Sequence, residues 1–150
     1  PFPRVDPFRQ ESPVTASLST YLQGLPAFLA YFGTSVAMTI IFVVVYVRLT
    51  PHREFALIKA NNVAASLALG GAVLGFILPL ASAMANSVSL VDFMLWGLVA
   101  FVVQAVAQLA KRLVIADLPT RIANGETAAG VFAGVVSLGV GVLNAASMTW

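Results

Sequence analysis

Residues 27–47 read AFLAYFGTSVAMTIIFVVVYV, an apolar run without a charged side chain. At about 1.5 Å of rise per residue, a helix over this stretch crosses the roughly 30 Å of hydrocarbon in a bilayer. The alternation in short segments that marks a transmembrane β-barrel is missing. The run extends from about Leu25 to Leu49. It is closed by Arg48-Leu49-Thr50-Pro51-His52-Arg53-Glu54, where the charges belong in water or headgroups and Pro51 disfavours further regular helix.

Three more stretches of spanning length follow, at about Val63–Ala85, Leu90–Leu113 and Thr127–Met148. Of the 150 residues, 59% are hydrophobic and 9% charged. Soluble domains carry about a quarter charged residues. A water-facing surface cannot be covered with so few, so a soluble bundle is rejected. The expected fold is an all-α membrane protein with four transmembrane helices, in one domain.

The chain has no cysteine, which excludes disulfides and thiolate chemistry. Its net charge of +2 comes from few charges, and no basic cluster with interleaved aromatics points to nucleic acid. The chain begins at Pro1 rather than methionine, so either its start is processed or residues precede it. Residues 1–24 lack the basic, apolar and small-residue regions of a signal peptide. Rich in Pro, Ser and Thr, they are expected to form an irregular extracytoplasmic arm ahead of a transmembrane domain at 25–150.

An internal repeat orders that domain. Offset by 64 positions, residues 56–84 align with 120–148 without a gap. Identical pairs include Ile58/Ile122, Ala64/Ala128, Ala65/Ala129, Gly70/Gly134, Leu74/Leu138, Gly75/Gly139, Ala81/Ala145 and Met84/Met148. Gly33/Gly97 and Arg48/Arg112 extend the series. The unit is a two-span hairpin, at about 25–86 and again at about 89–150. Two hairpins in series share one orientation, unlike the inverted repeats of many transporters.

Loop charge sets the side. Arg48, Arg53, Lys59, Lys111, Arg112 and Arg121 all fall in or beside residues 48–61 and 111–126, whereas the 86–89 turn carries no charge. The positive-inside rule places these basic, interfacial residues in the cytoplasm and both termini outside. Arg53, Lys59 and Arg121 stand beside apolar residues, as in short interfacial helices contacting anionic lipid.

Within the spans, association requires small residues. Gly33-x-x-x-Ala37, Ser66-x-x-x-Gly70, Gly71-x-x-x-Gly75 and Gly130-x-x-x-Gly134 supply them, with Gly139 repeating Gly75. Pro79 predicts a kink, from simple geometry or around an opened carbonyl near Gly75. Gln104 and Gln108, one turn apart, read as interhelical hydrogen-bonding groups, with a polar path as the alternative; Asn144 joins them. Asp92, near the start of the third span, reads as a helix cap, with a cation or proton site as the alternative. The lone His52 makes no metal site, no span carries a histidine for haem, and no phosphate loop or nucleophile arrangement is present. No catalytic residue, metal or cofactor is expected.

The sequence resembles the bacterial inner-membrane family named domain of unknown function 350, from about Leu25 to Thr149. The likeness rests on Leu57-Ile58-Lys59-Ala60, Asn62-Val63-Ala64-Ala65, Gly70-Gly71-x-x-Leu74-Gly75-Phe76 and Pro79-Leu80-Ala81-Ser82. It continues through Arg121-Ile122, Ala128-Ala129-Gly130, Ser137-Leu138 and Leu143-Asn144-Ala145-Ala146-x-Met148-Thr149. The resemblance implies four spans built as a duplicated pair, in a bacterial inner membrane, with no established activity and no site residue to carry over. Where the family has Gly-Asn before the second span, this chain has Asn61-Asn62, and asparagine tolerates left-handed backbone. Where it has Gly-Asn in the second half, this chain has Gly125-Glu126.

Two functions compete. One is an accessory or structural membrane protein, packed against lipids and against copies of itself or the subunits of a larger complex. The other is an oligomeric ion or small-solute channel.

Overall fold

The structure, a computed structural model, describes residues 13–51 and 53–149. Six helices follow one another: α1 (Pro13–Leu49), α2 (Glu54–Lys59), α3 (Val63–Asn86), α4 (Leu90–Val114), α5 (Leu118–Ala123) and α6 (Thr127–Ala146). No strand occurs among the described residues. Four segments are long and apolar enough to cross a membrane: Thr20–Leu49, Val63–Asn86, Leu90–Val114 and Thr127–Ala146. The chain is an all-α membrane protein, as its sequence predicts.

The core is the pairing of α3 with α6, and glycine makes it. A Cβ on Gly71 would fall on the Gly134 backbone, and one on Gly130 on the Ala64 backbone. A Cβ on Gly141 would strike Gly75, and one on Gly75 would strike the Ser137 carbonyl. Lipid offers no hydrophobic drive to associate, so backbone approach of this kind holds the two helices together by dispersion. Gly97 of α4 similarly leaves room for the Met38 thioether of α1.

Aromatic packing joins α1 and α4 to this pair. Phe42 stacks on Phe76 at 4.5 Å between ring centroids and meets Phe101 edge-on at 5.8 Å. Tyr31 packs on the buried Phe93. The attachment of α1 is thin: 6% of its most apolar window is buried, against 50% for α3.

Three expectations are corrected. The first span does not begin near Leu25: α1 starts at Pro13, so residues 13–24 are helical rather than irregular. Proline suits a first helical position, where its missing N–H has no partner to lose. Residues 1–12 lie outside the described residues. Among the described residues, Gly33, Gly70 and Gly139 have no atom within 4 Å of an added Cβ, so they do not pack against the other described helices. Ser66 is exposed and its hydroxyl donates to the Asn62 carbonyl one turn back. Pro79 is buried within α3, which runs on unbroken to Asn86. The Gly75 carbonyl, deprived of its helical donor by Pro79, lies against the Gly141 backbone of α6.

Candidate functional site: a buried polar cluster at the charged-loop end

The two charged loops fold alike. Residues 54–59 and 118–123 each form a six-residue helix, and α3 and α6 begin at 63 and 127, the same offset of 64. The turns between them need left-handed backbone, at Asn61 (φ 64°) and Gly125 (φ 81°). Asparagine thus performs the turn for which glycine serves in the other loop. The Asn62 side chain caps α3, accepting from the Ala65 N–H at 2.9 Å. Its amide donates to the Ile122 and Ala123 carbonyls of α5 at 3.0 and 3.1 Å. Glu126, at the matching position, makes no such cap and pairs with Arg121 at 2.7 Å on the surface.

Beneath these loops the bundle holds charge. Glu54, the first residue of α2, is fully buried, and Lys111 of α4 is 2% exposed. The Lys111 ammonium donates to Ser137 Oγ at 2.7 Å and to the Ala133 carbonyl at 3.2 Å, both on α6. One layer deeper, the Gln104 amide donates to the Ser137 carbonyl at 2.9 Å. Arg112 reaches back to the Leu49 carbonyl at 2.6 Å, at the end of α1. Gln108 and Tyr46 line the same cavity. The cluster therefore gathers side chains of α1, α2, α4 and α6 at the charged-loop end of the bundle.

A cavity of about 20 Å³ lies among Tyr46, Thr50, Glu54, Gln108, Lys111 and Arg112, with Leu118, Pro119 and Ile122 of α5 closing one side. Burial pushes the Glu54 carboxyl up to about 7, against the opposing pull of Lys111. Desolvation outweighs attraction here, as it does for buried carboxylates in general.

Lys111 is thus not interfacial. Its stem lies along the apolar core and its ammonium finds acceptors there, which offsets the desolvation. Arg48, Arg53 and Lys59 are exposed, and Arg112 and Arg121 are half-buried. Of the polar span residues, Gln104 and Gln108 belong to the cluster. Asn144 lies about two turns beyond Ser137 on α6, half-buried, its Nδ2 without a hydrogen-bond partner among the described residues. Asp92 caps α4 at the opposite end, its carboxylate accepting from Val88 N–H while Ser89 Oγ accepts from Asp92 N–H. His52 lies outside the described residues.

The sequence reading assigned no functional role to Glu54, Tyr46, Thr50 or Ser137. A signal existed for part of the cluster: Gly97, Gln104 and Lys111 recur every seven residues on the buried stripe of α4. No comparable signal marks Glu54. Positions 64 residues from Glu54, Gln104, Gln108, Lys111 and Ser137 carry Leu118, Ile40, Val44, Val47 and Val73. None of these five residues recurs at that offset. Among the described residues no group of three or more His, Cys, Asp or Glu side chains converges as a metal site.

Comparison with known proteins agrees with this architecture. The UPF0719 inner membrane protein YjfL of Escherichia coli K12 is 49% identical over 129 residues, covering 86% of this chain and 98% of its own length. The same protein of E. coli O157:H7 matches equally. No solved structure matches the chain. Residues 20–148 match the family described as Domain of Unknown Function (DUF350), from α1 to just beyond the end of α6, and the chain belongs to that family.

Proposed function

We propose that this chain is an accessory, multi-pass protein of a bacterial inner membrane that works by packing small-residue helix faces against other membrane proteins. The observation that carries this reading is the outward position of Gly33, Gly70 and Gly139. Glycine inside a helix is unfavourable by about 1 kcal/mol relative to alanine. At these positions it gains no contact within the chain. Its benefit is close approach by another helix. The exposed face of α1, with Phe28, Phe32, Val36 and Ile40, supplies further area. The partner is a second copy or a subunit of a larger complex, surrounded by lipid, and the chain itself is not an enzyme.

The relatives named as inner membrane proteins support the location. The matched lengths and spacing of the two loop helices support a duplicated hairpin. The basic loops support a cytoplasmic position for residues 48–61 and 111–126, with both termini outside.

The test is the mass of the particle extracted from membranes in a mild detergent. A homo-oligomer or a stoichiometric foreign subunit is expected, and Gly33→Leu or Gly70→Leu should disperse it. A monodisperse monomer overturns the proposal.

A second reading, an oligomeric ion or small-solute channel, draws on the polar row of Gln104, Ser137 and Lys111. Gln104 spends its amide on α6 of the same chain, which favours packing. Loss of flux from reconstituted vesicles on Gln104 or Asn144 substitution would favour conduction instead.

A further inference from the structure

We propose that the cavity among Glu54, Lys111 and Tyr46 is an internal protonation site holding one water molecule, and that its proton occupancy decides whether α2 stays seated on the bundle. A cavity of about 20 Å³ suits one water, which needs at least ~2 polar partners. The lining offers the Tyr46 phenol, the Glu54 carboxyl, the Gln108 amide and the Lys111 ammonium.

Geometry makes Glu54 the anchor of α2. This six-residue helix exposes Phe55, Ala56 and Lys59 and turns Glu54 inward, with Leu57 and Ile58 partly buried beside it. On α5, Leu118 stands at the matching position and is also buried. One loop helix is seated by an apolar side chain, the other by an acid. Only the second can respond to protons.

The groups facing Glu54 fix the sign. From α1 comes Tyr46; from α4 come Lys111 and Arg112; α5 and α6 bring Leu118, Pro119, Ile122 and Ala133, none of them titratable, and α3, on which α2 packs, carries no titratable side chain. Burial holds the seated carboxyl at about 7, against 4.5 for one in water. The seated form therefore binds the proton more tightly. Seating gains fully below about pH 4.5, and the gain is lost as pH rises through about 7. The step is a plain acid dissociation: the carboxyl passes its proton to the cavity water and on to the medium on the loop side. Nothing is oxidised or reduced. The inference holds whichever side the loops face and whatever partner the spans bind.

The chain has no cysteine, so one can be placed at will. A nitroxide on Ala56→Cys, in the full chain in lipid nanodiscs, reports α2 by electron paramagnetic resonance from about pH 5 to about pH 9. The label should become several-fold more accessible to a water-soluble relaxant as pH rises through about 7. Glu54→Gln should hold it seated throughout. Lys111→Met should move the midpoint to higher pH, because Lys111 favours the ionised carboxyl. A label on Thr120→Cys of α5 should stay flat, and His52→Gln should leave the midpoint in place. A flat Ala56→Cys label, a transition surviving in Glu54→Gln, or one abolished by His52→Gln overturns the proposal. If Glu54→Gln does not fold, Lys111→Met decides: a midpoint that stays put or falls also overturns it.

Discussion

Ser137 carries more of the polar cluster than its size suggests. Its hydroxyl accepts from the Lys111 ammonium and its carbonyl from the Gln104 amide. Both donors come from α4, so one small residue on α6 fixes two layers of the bundle. Ser137→Ala leaves a buried ammonium short of an acceptor, at about 1–3 kcal/mol. Denaturation in detergent should show that loss, and an unchanged midpoint would mean that water reaches Lys111. The serine was legible as a polar residue in a span. Its partner was not, because the charge of Lys111 reads as a helix-end anchor when the helix is viewed alone.

At the scale of elements, the glycines divide into two sets. Gly71, Gly75, Gly130, Gly134 and Gly141 face the α3–α6 seam, whereas Gly70 and Gly139 face away. Gly71→Ala or Gly134→Ala should destabilise the chain by about 1–3 kcal/mol, since an added methyl meets backbone that cannot yield. Gly70→Ala and Gly139→Ala should be neutral or stabilise the isolated chain by up to about 1 kcal/mol through helix propensity. Thermal unfolding of the four variants separates the sets, and a loss at Gly70 matching that at Gly71 would refute the assigned faces. The motifs Gly71-x-x-x-Gly75 and Gly130-x-x-x-Gly134 were readable as packing faces. Adjacent glycines point about 100° apart on a helix, so Gly70 and Gly71 cannot serve the same contact. Repeat identity favoured Gly70, and packing chose Gly71.

For the whole molecule, charge distribution sets a testable orientation. A protease site placed on a C-terminal tag should be cleaved in spheroplasts, because the positive-inside rule assigns the basic loops to the other side of the membrane. Protection of the tag would invert the topology. The same inversion would place the Glu54 cavity outside the cell while leaving its response to pH intact.

Four apolar runs, few charges and basic loops sufficed to determine a four-span helical membrane protein. These are properties of each segment against its solvent, and the bilayer reads them one segment at a time. The left-handed turn at Asn61 and the cap at Asp92 were likewise local matters, settled by backbone preference and by unpaired N–H groups. What the tertiary structure alone decided was the company of Glu54. A carboxyl two residues beyond His52 in a charged loop reads as solvated. It is buried because α2 packs back on α3, which carries Glu54 to the cavity that Lys111 of α4 and Ala133 of α6 also line. Burial of charge depends on contacts between segments distant in the chain, and no spacing within a segment encodes them.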